Sequence, residues 1–288
     1  MSANQSFWRR QQGRTQISHG LTYIVLLLGS VLFLLPLIWQ LLTSLMSGAQ
    51  TMQYPPVWLP NPPQWQNYVV LFTERGLGTG IINSVFVTTL SIIGTVLSSS
   101  LAAYGFARLR MPGKNVIFML LLSTLMLPSI VLIIPQFMLF QRFQWINTFY
   151  PLIVPAFFGN AFYIFLLRQF LISVPRDLEE AAWIDGAGYV RTFFQVAVPM
   201  IWPAMIAVAV YTFVATWNDF LTPLIYLSDE SKYTLAIALR YLQGSTRSRP
   251  ETQLAMAASM VAIIPCVLVF LAAQRWFVQG TVITGVKG

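Results

Sequence analysis

The sequence has few charged residues, one cysteine and one histidine. Only 9% of its 288 residues are charged, whereas 56% are hydrophobic. A soluble domain carries about 25% charged residues, so this composition excludes an ordinary soluble protein and indicates an integral membrane protein. Because Cys266 and His19 are single examples of their types, an intrachain disulfide is impossible, and neither a zinc site nor a histidine-based catalytic triad is plausible.

A phosphate-binding loop is also missing. Gly113-Lys114 is followed by Asn115, and the residue five positions before Gly113 is not glycine, so the GxxxxGK[ST] pattern fails. We therefore predict that this chain binds no cofactor and hydrolyses no ATP. The net charge of +8 comes from cations spread among hydrophobic segments. This spread favours cationic loops beside membrane spans over a nucleic-acid partner.

Six segments are apolar enough to form spanning helices, each of which needs about 20 residues. The second segment is rich in Ser and Thr, and a short polar turn near residues 141–147 separates the third from the fourth. We therefore predict an all-α membrane protein with six transmembrane helices. The predicted spans are Leu21–Met46, Ile81–Ala107, Val116–Phe140, Pro151–Leu171, Ile201–Leu227 and Leu254–Val278.

The distribution of Lys and Arg predicts the orientation. With a cytoplasmic N-terminus, eleven cations fall in the inner segments and six in the outer ones, four of these six in the last outer loop. Cytoplasmic loops carry the excess of cations, so both termini are predicted to be cytoplasmic. Residues 1–20 are then an inner N-terminal segment, residues 21–278 the six-span domain, and residues 279–288 an inner tail.

A polar stretch over residues 173–200 interrupts the apolar segments on the inner side. Pro175 ends the preceding helix, and acidic residues follow in what would be the first turn of a new helix, where the helix dipole favours them. Gly186 and Gly188 permit a sharp turn, and a second helical stretch, Tyr189–Ala197, ends at Pro199. This pattern predicts a helix, a glycine turn and a helix that fit a groove on a partner. An ordinary amphipathic interfacial loop is the alternative.

The spacing inside this stretch is specific. Glu180-Ala181-Ala182 is followed after three residues by Gly186, and nine residues later by Val196-x-Val198-Pro199. This pattern resembles the EAA loop of the membrane-spanning subunits of binding-protein-dependent ABC importers, with Val where that family often has Ile and Leu. The segments WNDFLTPLIYL, KYTLAIAL, ARLRMPGK and AQRWFVQGTVITGVKG resemble the carbohydrate-uptake branch, close to the maltose-type second permease.

The resemblance implies a type I ABC importer permease fold in the bacterial cytoplasmic (inner) membrane. It also implies a second homologous permease, two ABC ATPase subunits that bind ATP and Mg, an external solute-binding protein and a carbohydrate substrate. The residues expected to couple to the ATPases are Glu180, Ala181, Ala182, Asp185, Gly186 and Pro199.

Asp219 is the only acid predicted to lie well inside a span. Intramembrane ionisable groups often line a polar path, so Asp219 is a candidate for the translocation path. The alternative is an interhelical hydrogen bond at a turn that proline weakens. The full candidate set for the path is Phe213, Trp217, Asn218, Asp219 and Phe220.

Two further segments allow a structural and a functional interpretation. The Pro-rich stretch Tyr54–Trp65 is either a cap packed on the helix ends or a docking surface for an external partner. The tail Gly280–Gly288 contains three glycines and cannot form a stable helix alone. The tail is therefore either disordered or ordered against the ATPases, with Val286 and Lys287 in contact.

Two other functions are weighed against a carbohydrate importer. A stand-alone secondary transporter would predict several intramembrane carboxylates and repeated halves, neither of which is visible in this sequence. A permease for a non-sugar solute such as a glycerol phosphate is the other alternative, because such permeases look alike.

Overall fold

Helices form all the regular secondary structure in the residues that the structure, a computed structural model, describes. These are residues 2–243 and 251–284 for the backbone and 22–243 and 251–276 for the side chains. In a bilayer every backbone polar group must be satisfied within the protein, and a helix does this within one segment. The α-helices are α1 (Ser2–Ser44), α2 (Gly48–Thr51), α3 (Gln66–Thr73), α4 (Leu77–Arg108), α5 (Lys114–Ser123), α6 (Ile133–Arg142), α7 (Tyr150–Ile153), α8 (Ala161–Ser173), α9 (Asp177–Ile184), α10 (Tyr189–Thr192), α11 (Val198–Trp217), α12 (Leu221–Tyr226), α13 (Leu235–Leu242) and α14 (Thr252–Thr284).

Five helical stretches are long and apolar enough to cross a membrane, and a bent pair of helices makes six if it counts as one span. The prediction of a six-span helical membrane protein is confirmed at this level. The five stretches are Thr22–Ser44, Leu77–Arg108, Tyr150–Ser173, which is interrupted at Gly159 and Asn160, Tyr189–Trp217 and Thr252–Trp276.

The third predicted span, Val116–Phe140, is not one continuous helix but two helices that meet at a sharp bend. Lys114–Met126 and Ser129–Arg142 meet at an angle of 92°. Leu127 lies between them with an extended backbone, at φ −82° and ψ 118°. The ring of Pro128 disfavours the helical conformation of the residue before it, so the break falls where this proline requires it.

The fifth predicted span, Ile201–Leu227, is too long. Helix α11 stops at Trp217, and the short helix α12 begins at Leu221. Pro223 lacks an N–H, and its ring would clash with the carbonyl of Asp219, four residues earlier. A continuous helix through residues 218–223 is therefore disfavoured, and the helix is interrupted just before the proline.

The last helix extends farther than predicted. Helix α14 continues to Thr284, although the segment from Gly280 onward was expected not to form a helix alone. The physical reason is that adding residues to an existing helix needs no new nucleation, which is the costly step. Val286 and Lys287 lie outside the described residues.

Helix α4 is the central element of the bundle, and it packs against α8, α11 and α13. Small side chains permit this close packing, as is usual between membrane helices. At Gly94, a Cβ atom would lie only 2.6 Å from the ring of Phe157. Buried hydroxyl residues occur along the same helix at Ser84, Thr88, Ser91, Thr95, Ser99 and Ser100.

The Pro-rich stretch covers the end of α1. The ring of Trp58 packs edge-on against Trp39, with 5.3 Å between the centroids. The N–H of Gln64 donates to the carbonyl of Leu45 at 2.7 Å, and the Asn67 side chain donates to the carbonyls of Ser44 and Met46. These contacts make the segment a cap on α1, which is one of the two interpretations left open above.

Candidate functional site

Helix α9 and the turn after it form the first half of the candidate coupling site. Asp177, Glu179 and Glu180 occupy the first turn of α9, where the helix dipole favours acids. Gly186 then adopts φ +84°, a left-handed conformation that glycine accepts at no steric cost. The N–H of Gly186 donates to the carbonyl of Trp183 at 3.0 Å and closes the helix. The predicted helix and glycine turn are confirmed.

The second half of the site joins the next span without a break. Helix α10 leads into a π-helical turn at Phe193–Ala197 and then into α11. The N–H of Val198 donates to the carbonyl of Phe193, five residues earlier, and Pro199 lies in the first turn of α11. The prediction that the second helix ends at Pro199 is therefore wrong. A widened turn accommodates the missing N–H of the proline while the helix continues.

The turn between α9 and α10 presents an apolar surface. The side chain of Ile184 is 86% exposed and that of Val190 is 73% exposed. Trp183 and Tyr189, which are also exposed, pack edge-to-face across the turn, with 5.6 Å between the ring centroids. Glu180, Ala181 and Asp185 are exposed and Ala182 is half-buried. The structure thus brings the predicted coupling residues Glu180, Ala181, Ala182, Asp185 and Gly186 together at one end of the bundle, here called the loop end.

Sequence reasoning missed the acid next to the motif. Glu179 is buried, and its Oε1 lies 2.8 Å from Nε of Arg108, the last residue of α4. Both side chains are almost fully buried, at 3% exposure for Arg108 and 1% for Glu179. Arg108 also donates from Nη2 to the carbonyl of Val174 at 2.9 Å. The acid beside Glu180 and the cation that ends the second span were visible in the sequence, but nothing in their spacing pairs them.

The five candidate path residues do not form one surface. The rings of Phe213 and Trp217 are buried and stacked, with 5.6 Å between their centroids. The indole N–H of Trp217 donates to the carbonyl of Ala262 in α14. These two side chains therefore hold α11 against α14, whereas Asn218 is exposed and Asp219 and Phe220 are half-buried.

Asp219 stabilises the start of α12. Its Oδ1 accepts a hydrogen bond from the backbone N–H of Thr222 at 3.1 Å. The partner is three residues away in the same turn. The hydrogen bond is therefore local, and not the bond between two spans that the structural alternative predicted. Asp219 also faces a cavity of about 90 Å³ whose other polar lining residues carry hydroxyl groups: Ser84, Thr88, Thr216, Thr222 and Thr234.

A larger cavity of about 580 Å³ lies at the end of the bundle opposite the loop end. Tyr233 and Tyr241 line it with stacked rings 5.4 Å apart, and their hydroxyls are 3.3 Å apart. The hydrogen bond with Tyr241 is the largest cause, and burial the second, of a pKa of Tyr233 that is raised to about 12. Its hydroxyl therefore stays protonated at neutral pH. Arg75 and Glu251 form an ion pair at the rim of this cavity, and both are partly exposed.

The sequence matches a family model and curated relatives. Residues 94–283 match the family described as the inner membrane component of binding-protein-dependent transport systems. The diacetylchitobiose uptake system permease protein NgcG of Streptomyces coelicolor is 35% identical over 90% of this chain and 84% of its own length. The arabinooligosaccharides transport system permease protein AraQ of Halalkalibacterium halodurans is 33% identical over 85% of this chain and 86% of its own length.

A third relative and a solved structure extend the comparison. The sn-glycerol-3-phosphate transport system permease protein UgpE of Yersinia enterocolitica is 32% identical over 90% of this chain and 94% of its own length. The fold matches a chain of a bacterial ABC transporter involved in the import of the acidic polysaccharide alginate, with a TM-score of 0.80 and 22% identity. This match covers 91% of the present chain and 97% of the solved one, and it shows the type I importer permease fold.

Proposed function

Because this chain belongs to the family of inner-membrane components of binding-protein-dependent transport systems, we propose that it is the permease subunit of an ATP-driven importer for a sugar or oligosaccharide. The substrate would pass from an external binding protein into the cytoplasm. Relatives named for diacetylchitobiose and arabinooligosaccharides support the substrate class. The observation that carries the proposal is the family match, because its range, residues 94–283, includes the whole coupling site.

A relative named for sn-glycerol-3-phosphate supports a second candidate. This relative is almost as similar to the chain as the two named for oligosaccharides. A permease for a small phosphorylated solute is therefore the alternative that the transport experiment must separate from a carbohydrate permease.

The proposed assembly contains a second homologous permease and two ATPase subunits. The apolar side chains of α1 between Tyr23 and Leu41 are mostly exposed, and they need lipid or a partner helix to cover them. The chain itself has no phosphate-binding loop, so ATP and Mg would be bound by the partner ATPases. The excess of Lys and Arg on the loop-end segments supports a cytoplasmic location for this end and for both termini.

The ATPases would bind the exposed side of α9 and the turn after it. Ile184 and Val190 supply an apolar contact that can enter a groove on the partner. Glu180 is exposed beside them and can form a charge-assisted hydrogen bond with a basic residue. The tail contact through Val286 and Lys287 stays a prediction.

The substrate path would run past Asn218, Asp219 and Phe220. Asp219 and the hydroxyl-lined cavity beside it offer the hydrogen-bonding groups that a carbohydrate needs. Phe213 and Trp217 would not line the path themselves but would hold this region in place, since both are buried against α14.

Transport by the reconstituted complex tests the proposal. The complete complex is placed in liposomes with ATP on the ATPase side and the cognate binding protein on the other. We expect uptake of radiolabelled oligosaccharide that needs both ATP and the binding protein. Uptake of glycerol 3-phosphate alone would favour the second candidate. Uptake driven by an ion gradient without ATP, or ATP hydrolysis by this chain alone, would overturn the importer proposal.

A further inference from the structure

The buried ion pair between Arg108 and Glu179 connects the coupling site to the second membrane span. We propose that this pair is the positioning link through which a displacement of α9 is transmitted to α4, an inference that rests on the proposed function. In this account, Glu180 and its exposed neighbours bind the ATPase, while Glu179 holds the same helix to the permease.

The two sides of α9 have different environments. Glu179 is buried and Ala182, three residues later and therefore on the same side of the helix, is half-buried. Glu180, Ala181 and Ile184 are exposed. One side of this eight-residue helix thus faces the permease and the other is free for a partner.

Arg108 holds both the helix and the segment that leads into it. Its Nε contacts Glu179, and its Nη2 donates to the carbonyl of Val174, in the short connection between α8 and α9. The planar guanidinium group can make two such contacts at once in a fixed geometry. Consequently, α9 cannot shift relative to the end of α4 without breaking contacts that are shielded from water.

Packing alone does not explain a carboxylate at position 179. Neither of its carboxylate oxygens makes a hydrogen bond among the described residues: Oε1 pairs with Nε of Arg108 at 2.8 Å as an ion pair without hydrogen-bond geometry, and Oε2 is buried without a partner, as is Oη of Tyr104. A buried polar atom without a partner is unfavourable, and apolar residues of similar volume in place of both Arg108 and Glu179 would avoid this cost. A role for the charge itself, as an attachment to Arg108, accounts for its presence.

Helix α4 offers a continuous route from the loop end to the candidate path. Its 32 residues run without interruption from Leu77 to Arg108, a length of about 48 Å. Near its other end, Ser84 and Thr88 line the cavity at Asp219. Oγ of Ser84 also accepts a hydrogen bond from the N–H of Leu235 in α13. A movement of Arg108 would therefore reach the cavity through a single rigid element.

The test compares variants in the complete complex reconstituted with its ATPases and binding protein. Glu179→Gln removes the charge but keeps the side-chain shape and one oxygen acceptor. Arg108→Lys keeps the charge but loses the fork that holds Val174 and Glu179 together. Arg110→Gln is the matched control, because Arg110 is exposed two residues away. The measured quantity is substrate transported per ATP hydrolysed, normalised to the complex present.

We expect both variants to retain the ATPases and to lower this ratio at least about fivefold, the lower limit of typical coupling between sites. The control should match wild type. The exchanged pair Arg108→Glu/Glu179→Arg should recover part of the ratio. Should Glu179→Gln fail to assemble, Arg108→Lys decides in its place.

Two results would overturn the link. One is an unchanged ratio in Glu179→Gln or Arg108→Lys. The other is a loss of assembled complex with a normal ratio in what remains, which would mean that the pair only stabilises the fold. Failure of the proposed function is a separate outcome, because the wild-type complex itself would then show no ATP-dependent uptake.

Discussion

The two ion pairs of the described residues lie at opposite ends of the bundle and differ in burial. Arg108 and Glu179 are 3% and 1% exposed, whereas Arg75 and Glu251 are 42% and 35% exposed. A buried pair is costly to form and very costly to break on one side, while an exposed pair contributes little. The difference indicates that the loop end is built to keep one arrangement of α9, whereas the ion pair at the opposite end restrains its two segments only weakly.

The largest expected effect follows from breaking the buried pair on one side. Glu179→Ala leaves the guanidinium of Arg108 buried without its counter-charge, and this typically costs about 3–5 kcal/mol. We expect a lower free energy of unfolding by that amount in the detergent-solubilised protein. Arg110→Ala, at an exposed position, should change it by less than about 0.5 kcal/mol. Equal, small losses in both variants would mean that the buried pair does not stabilise the loop end.

A smaller effect is expected at the glycine turn of the loop end. Gly186→Ala places a Cβ in open space, but it forces a non-glycine residue to φ +84°. The cost of the left-handed conformation is about 1–2 kcal/mol. We expect reduced transport with the chain still inserted in the membrane. Gly188→Ala is the control, because Gly188 has φ −74° and any residue adopts that conformation. Equal loss in both variants would mean that the turn geometry is not the cause.

At the end opposite the loop end, two variants of Asp219 distinguish a structural role of this residue from a role in transport. Asp219→Ala removes the hydrogen bond to the N–H of Thr222, and loss of such a cap costs about 1 kcal/mol. Asp219→Asn keeps an oxygen acceptor and removes only the charge. If Asp219 contributes to the path through its charge, the Asp219→Asn variant will have the thermal stability of wild type, which Asp219→Ala loses, but not its transport. Recovery of both by Asn would show that the capping hydrogen bond is all that this position requires.

The smallest effect is expected at the exposed ion pair. Arg75→Ala or Glu251→Ala should lower the free energy of unfolding by no more than about 1 kcal/mol. The difference should shrink as salt is added, because exposed charges are screened. A double-mutant cycle over the two residues, at low and high salt, measures this contribution. A coupling energy as large as that of the Arg108–Glu179 pair, and independent of salt, would contradict the comparison.

Prediction from the sequence succeeded where one local rule determined the structure. The helix at Asp177–Ile184 and the turn at Gly186 follow from acids, a proline and a glycine within a few residues of each other. Hydropathy alone did not predict where the helices of the third and fifth spans end, because it does not register a proline-induced break, as at Pro128 and Pro223. The resemblance supplied the family, which no local rule could have given.

The contacts between distant segments could not be predicted. Arg108 and Glu179 meet because α4 ends at the level of the bundle where α9 begins, and this depends on the packing of the whole chain. Similarly, Trp217 was a candidate for the path until the structure placed its indole against Ala262. Side-chain type indicates what a residue can do, while the direction in which it points is set by tertiary packing.

Accessibility of residue 184 tests most directly the claim that the loop end faces the cytoplasm and binds the ATPases. Ile184 is the most exposed apolar residue of α9. Ile184→Cys in a Cys266→Ser background carries a single thiol, since Cys266 is the one native cysteine. We expect a membrane-impermeant maleimide to label it only from the cytoplasmic side, and bound ATPase subunits to protect it. Labelling from outside intact cells, or full labelling in the assembled complex, would contradict the account.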